Sequence, residues 1–306
     1  MTKSKSESYV DEEIDLLKLF NILLDNKKKI LKFSSFIALL SVFYTLTLPN
    51  IYRAEALLAP AGVQRETGMS GLAGQFGGLA SLAGISIEDE IVSKHELGLE
   101  VLKSRKFIRE FVDRHKILPE LMAVDYWNAD ERKLHLDANL YNPKTKKWLE
   151  KDGKPSNEDV YELFIESLII VEDATSEFVT IGFNHQSPDI AAKWTGQLIR
   201  DINDEIRNQD ISEAESSIEY LSQQIDNSPA VDLRDLFYDL IQTQTETMML
   251  ANVREEYVFK TIDPATVPEK KSSPSRAIIC LVSTFLGGFF AIIYVIFRHY
   301  SNSENS

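Results

Sequence analysis

The side chains that could do chemistry are scattered. His95, His115, His135 and His185 stand at least 20 positions apart, without a His-x-x-x-His pair or any other ligand spacing, so the pattern gives no zinc site. Glu88-Asp89-Glu90 and the Glu213/Glu215 pair have the residue types of glycoside hydrolysis, in which two carboxylates flank the scissile bond. In a chain with 47 acidic and 33 basic residues, however, neighbouring acids are commonplace, and such clusters usually form a solvated face. No Gly-x-Ser-x-Gly elbow occurs to present a serine nucleophile. The single cysteine, Cys280, lies inside an apolar run, which removes an intramolecular disulfide, a cysteine metal site and a thiol acting on an external substrate. A net charge of −14 is the wrong sign for a nucleic-acid partner. The expectation is a protein with no catalytic residues, no cofactor and no metal.

The residues that stand out instead are suited to holding chains in place. Pro268, Pro274, Ser275 and Arg276 lie in Asp263-Pro264-Ala265-Thr266-Val267-Pro268-Glu269-Lys270-Lys271-Ser272-Ser273-Pro274-Ser275-Arg276, immediately before an uncharged run from Ala277 to Phe297. Proline fixes its own φ and keeps the preceding residue out of αR, so this leader is expected to be extended and stiff. The 21 residues of the run, at ~1.5 Å of rise each, span about 31 Å and match a hydrocarbon core of ~30 Å. Residues 277–297 therefore read as a transmembrane helix, with 298–306 beyond it. Within it Ser283, Gly287 and Ala291 recur at every fourth position and Gly288 adjoins them, a face that permits close helix approach.

An element at the other end matches it. Ile14, Leu17, Phe20 and Leu24 keep helical spacing, and Lys27-Lys28-Lys29 and Lys32 then precede an apolar run from Phe33 to Leu48. Residues 30–49 read as a first span, with Lys32 snorkelling and Ser34, Ala38, Ser41 and Thr45 as a comparable small-residue stripe. A cleaved signal peptide would also have a basic flank and an apolar core, here before Ala54-Glu55-Ala56; the long polar leader and the second span argue against it. The lysines put residues 1–29 in the cytoplasm, two spans return the C-terminus there, and residues 50–276 lie outside, in the periplasm of a cell with two membranes. Asn50–Ser275 carries 40 acidic and 24 basic residues. Nine residues follow Phe297, so no cytoplasmic output module of a kinase or chemoreceptor is expected.

The outer segment reads as α/β. Tyr52–Leu58 is strand-like up to Pro60, Glu90–His115 reads as helix, and Phe164–Val171 with Phe178–Phe183 reads as an antiparallel pair. Asn142-Pro143 and Asp152-Gly153 bracket a lysine-rich stretch around Trp148 that suggests a solvated hairpin. Residues 62–87 hold seven of the 13 glycines, without the Gly-Lys-Ser/Thr of a phosphate loop. They read as a mobile apolar loop or as a segment that packs on a neighbouring subunit or membrane component. Ser187-Pro188-Asp189 combines a cap, an N1 proline and a first-turn acid, opening a helix interrupted at Asn208-Gln209-Asp210. Beyond it Ile211, Ala214, Ile218, Leu221 and Ile225 repeat at coiled-coil spacing, Asn227-Ser228-Pro229 turns the chain, and a second helix runs to about Asn252. Residues 188–252 thus form a projecting helical hairpin, and Tyr257–Ile262 a final strand.

These features in this order resemble the Wzz chain-length determinants, or polysaccharide co-polymerases: the Ile14-Asp15-Leu16-Leu17 leader, a lysine-flanked span, Tyr52-Arg53-Ala54, Ser187-Pro188-Asp189-Ile190-Ala191-Ala192-Lys193-Trp194, and Pro268–Arg276 before a Gly287-Gly288 span. The resemblance covers nearly the whole chain. It implies an α+β inner-membrane protein with two transmembrane helices flanking a periplasmic α/β base that carries a helical arm, assembled as a homo-oligomer in the lipid bilayer. It also implies control of the length of O-antigen or a related polysaccharide built by a separate membrane polymerase on a lipid-linked glycan. The arm is shorter than in larger members, and the C-terminal kinase of related tyrosine autokinases is missing. Pro268, Pro274, Ser275, Arg276, Ser283, Gly287, Gly288 and Ala291 are the expected partner- and oligomer-coupling residues. Export of capsule or exopolysaccharide, and periplasmic glycan processing, are the alternatives.

Overall fold

The computed structural model describes residues 16–61, 93–149, 153–173, 175–227 and 231–303. The Gly-rich stretch 62–87, Glu88-Asp89-Glu90, Ile14 and Asp152 lie outside them. The chain forms two compact units, Ile51–Ser272 and Met1–Asn50 with Ser273–Ser306.

The larger unit is built on a four-stranded antiparallel sheet with strand order β6-β7-β1-β8. Its strands are β1 (Tyr52–Pro60), β6 (Leu168–Glu172), β7 (Val179–His185) and β8 (Phe259–Asp263). The register sets Ala54 opposite Phe183, Ala56 opposite Ile181 and Leu58 opposite Val179. Directly opposed residues share a face, so the alternation in both strands buries one side of the sheet. Ala54 and Ala56 leave room there for Phe183 and Ile181. Gly182 is the exception in kind: a Cβ at this position would lie 2.7 Å from the Ala54 carbonyl oxygen, so the close approach of β7 to β1 requires glycine.

Helices close the buried side. They are α2 (Lys94–Lys103), α3 (Arg105–His115), α4 (Leu118–Met122), α5 (Asn157–Ser167) and the start of α6 (Pro188–Asn227). Phe111, Phe164, Phe183 and Trp194 form an aromatic chain through the core, with successive ring centroids 5.7, 5.0 and 5.3 Å apart in edge-on geometry. Such contacts add about 0.5–1.5 kcal/mol per pair beyond area burial. Small antiparallel pairs, β2 (Val124–Asn128) with β3 (Lys133–Leu136) and β4 (Tyr141–Asn142) with β5 (Lys147–Trp148), complete the unit with α7 (Val231–Val253), which packs along α6.

Four sequence expectations are corrected. The helix expected over Glu90–His115 is two helices in its described part, because Ser104 is extended (φ −72, ψ 145) and its side chain accepts from the Phe107 N–H. One serine both ends α2 and caps α3. Phe164–Ser167 is helical and not strand: Ser156 and Asp159 form a reciprocal capping box, and Val160 and Phe164 are buried one turn apart. The polar triplet Asn208-Gln209-Asp210 does not interrupt α6, which runs unbroken for 40 residues. The hairpin expected around Trp148 is reduced to the two-residue pairing of β4 with β5.

The smaller unit holds α1 (Leu16–Thr47) and α8 (Arg276–Ser303), packed against each other. From Leu16 on, the leader and the first span are one continuous helix. In the most apolar windows of α1 and α8 only 11% and 17% of residues are buried. Leu31, Phe36, Phe43, Leu281, Phe285 and Phe297 are among the large side chains left bare. A core helix of a water-soluble protein would bury that surface; here lipid covers it.

Candidate functional site

Two constructions could transmit a mechanical constraint, one in each unit. In the membrane unit, α8 opens at Ser275, whose carbonyl accepts from the Ile278 and Ile279 N–H groups at 2.9 and 3.1 Å. Arg276 sends its guanidinium to the far end of α1, with Nη2 donating to the Leu48 carbonyl at 3.1 Å and to Asn50 Oδ1 at 3.2 Å. A cation beside these last carbonyls also complements the α1 dipole. Its cost is that Arg276 Nε is buried without a hydrogen-bond partner.

Farther along, the small residues meet large ones from the other helix. A Cβ on Gly287 would stand 2.9 Å from Ile37 Cδ1, and one on Gly288 would stand 3.2 Å from Ser34 Oγ. Gly287 is therefore the seat of Ile37, and the ~1 kcal/mol that glycine costs inside a helix is set against this contact. Ala291 is buried, whereas Ser283 is half-buried. On α1, Ser41 and Thr45 are buried with their hydroxyls turned onto the Ala38 and Val42 carbonyls, and Thr45 Oγ1 lies 3.9 Å from Cys280 Sγ. Pro268 and Pro274 fall in the irregular segment between β8 and α8. On the outer side of that segment Ser272 N–H donates to the Ile51 carbonyl at 2.9 Å.

The second construction is the root of the arm, centred on Asn203, which no motif marks. Asn203 lies on the buried stripe of α6 with Ile199 and Ile206. Its Oδ1 accepts from the Val258 and Phe259 N–H groups at 2.7 and 2.9 Å, and its Nδ2 donates to the Phe259 and Ile199 carbonyls at 3.1 and 3.0 Å. A buried side-chain amide thus pairs all of its capacity and fixes β8 to α6. Two turns on, Asp210 Oδ2 accepts from Tyr257 Oη at 2.5 Å and from Lys94 Nζ at 2.8 Å. Burial opposes the Lys94 charge, but Asp210 and Tyr257 outweigh it and hold its pKa above the ordinary lysine range; burial and Asp210 together raise Tyr257. Below them Asp201 takes Arg114 Nη1 at 2.9 Å and His115 Nε2 at 2.8 Å, while Gln197 Nε2 donates to His115 Nδ1 at 2.8 Å. A polar residue on an apolar helical stripe was the available signal for Asn203; Lys94, Asp210 and Tyr257, from three separate segments, gave none.

The histidines stay dispersed over α2, α3, β3 and β7, and no metal-holding group of three occurs among the described residues. His185 is a core residue. Its Nε2–H donates to the Glu120 carbonyl at 2.9 Å and its Nδ1 accepts from the Ser187 N–H at 2.9 Å, an arrangement that needs the neutral ring. Burial likewise holds its pKa below the ordinary imidazole value. Glu213 and Glu215 are solvent-exposed on α6.

Among known proteins, the family model described as Wzz, chain length determinant protein, matches residues 12–115, which end where α3 ends. No curated protein matches. Two solved structures are similar to the chain. A full-length bacterial polysaccharide co-polymerase is 13% identical with a TM-score of 0.39, covering 95% of this chain and 100% of its own. A fragment of WzzB, polysaccharide co-polymerase from Salmonella Typhimurium, is 14% identical with a TM-score of 0.29, covering 73% of this chain and 100% of its own. At these scores the superpositions add no argument of their own. The family match spans well under half of the chain, from the membrane helix α1 to the end of α3, and it is this part of a two-pass membrane protein that is similar to the Wzz family of chain length determinant proteins.

Proposed function

We propose that this protein sets the length distribution of O-antigen or a related surface polysaccharide without making or breaking bonds itself. In this reading it acts as an inner-membrane homo-oligomer beside a separate polymerase and its growing lipid-linked glycan. The observation that carries the reading is the match of residues 12–115 to the chain length determinant family. The arm presents a surface to glycan or polymerase. Pro268, Pro274, Ser275 and Arg276, with the Ser283, Gly287, Gly288 and Ala291 face, couple the periplasmic and membrane layers.

The test is a gel profile of lipopolysaccharide and capsule from cells with the gene deleted and restored. Loss of a modal cluster of bands, with short random chains remaining, is the expected outcome. Unchanged banding with capsule missing would instead assign the protein to polymer export, and oligosaccharide cut or joined by the purified protein alone would make it an enzyme. For the coupling residues, Pro274→Ala is expected to shift modal length while the protein stays in the membrane. Loss of the protein from the membrane would make the segment merely structural.

A further inference from the structure

The two membrane helices do not close on each other at their cytoplasmic ends. Between them lies a groove of about 710 Å³, walled on α1 by Asn26, Lys29, Ile30 and Phe33 and on α8 by residues that include Phe290, Tyr294 and Arg298. That volume is within the ~300–1,000 Å³ range of small-ligand clefts.

Its polarity runs along one axis. Lys29 and Arg298 stand at the rim, where α1 enters and α8 leaves the membrane, and Phe33 and Phe290 lie one to two turns deeper. Lys29 Nζ donates to Asn26 Oδ1 at 2.9 Å, and neither Lys29 nor Arg298 has a carboxylate within ion-pair distance among the described residues. Two cations without carboxylate partners face one opening, above an aromatic-lined trough, in a chain of net charge −14.

We propose that this groove binds one anionic phospholipid of the phosphatidylglycerol class from the cytoplasmic leaflet. The headgroup phosphate sits between Lys29 and Arg298, Tyr294 lies at glycerol depth, and an acyl chain runs inward along Phe33 and Phe290. Basic pockets between transmembrane helices on the cytoplasmic side suit anionic headgroups, and guanidinium pairs well with phosphate oxygens. The apolar trough below the cations selects an amphiphile over a free anion, because soluble phosphate would leave Phe33 and Phe290 uncovered. The site does not depend on which polysaccharide the protein governs.

The test uses the full chain in a mild detergent and counts bound lipid by native mass spectrometry. Phosphatidylglycerol, phosphatidylcholine and inorganic phosphate are added separately. Wild type is expected to retain phosphatidylglycerol in preference to phosphatidylcholine and to show no displacement by millimolar phosphate. The double variant Lys29→Gln/Arg298→Gln is expected to lose that preference by about 25-fold, roughly fivefold for each cation removed at the membrane surface. Lys27→Gln/Lys28→Gln, which changes exposed lysines that do not line the groove, should leave it within about twofold. Should the double variant fail to reach the membrane, Arg298→Gln alone should show about a fivefold drop. Equal retention of the two lipids, an unchanged preference in Arg298→Gln, or displacement by phosphate alone would overturn the proposal.

Discussion

The two halves of α6 belong to one unbroken helix but bury different things. In the first half Trp194, Leu198, Ile202 and Ile206 are sealed against the sheet, and Trp194 joins a chain of rings. Past Ile211, among the described residues, the side chain that is fully enclosed is Ala214, and on α7 it is Ala251. Leu221 and Ile225 are only half covered, while Tyr220 and Val253 are 62% and 81% exposed. A side chain left half in water gains correspondingly less than the ~1.5–3 kcal/mol of full burial. The base therefore holds itself together, whereas the outer arm fully encloses only Ala214 and Ala251 among the described residues and leaves apolar surface exposed. Regions of that kind open locally at lower free energy than the global fold.

This contrast can be broken most directly at Trp194. Trp194→Ala is expected to cost about 3–5 kcal/mol, read as a lower melting temperature in near-ultraviolet circular dichroism of the full chain in detergent. A loss under ~1 kcal/mol would mean that the base collapses around the void and is no stiffer than the arm. Ala251→Leu tests the other side, with overpacking expected to cost about 1–3 kcal/mol. Faster hydrogen exchange should then appear in α7 and the second half of α6, with β1 and β7 unchanged. Equal loosening of the sheet would erase the distinction.

The smallest effect is one of pH. Burial depresses the His185 pKa, so the unfolded chain takes up the proton first as pH falls. The contribution of His185 is thus fully present above an unfolded pKa of about 6.5 and is lost as pH drops from there toward the folded value. Residues 207–253 contain no histidine, so arm opening should stay flat from about pH 7 to 5.5 while base stability declines. His185→Gln should flatten the base as well. Half-buried Glu120, whose pKa burial raises, has the opposite slope at lower pH, and the comparison of wild type with His185→Gln separates the two.

Strands β1 and β7, the start of α6 and both membrane helices were legible because each carries a signal within its own few residues: alternation, a Ser-Pro-Asp opening, or an uncharged run. The errors arose where local signals competed. Phe164–Val171 is a continuous apolar run, which periodicity alone cannot assign, and the Ser156/Asp159 box upstream decides it in favour of helix as far as Ser167. Ser104 was hidden inside a stretch whose apolar spacing remains helical on both sides. Asn208-Gln209-Asp210 looks like a break because it is three polar residues in a row, and the partners of Asp210, Lys94 and Tyr257, lie 116 and 47 positions away. Arg276 was marked by its place beside a span; its reach to Leu48, 228 positions back, is a product of packing.

Asn203 has a consequence for how such proteins can change over evolutionary time. It joins α6 to Val258 and Phe259, 55 and 56 positions later, and the outer part of the arm, the second half of α6 with α7, lies between those anchors. Whatever happens to the length of the arm, the chain re-enters the sheet at the same latch, and β8 keeps its pairing with β1. Matched insertions or deletions in α6 and α7, made in whole helical turns, would leave the strand register untouched. The outer arm is in this sense a separable module, and a single amide is the connector that ties it to the base.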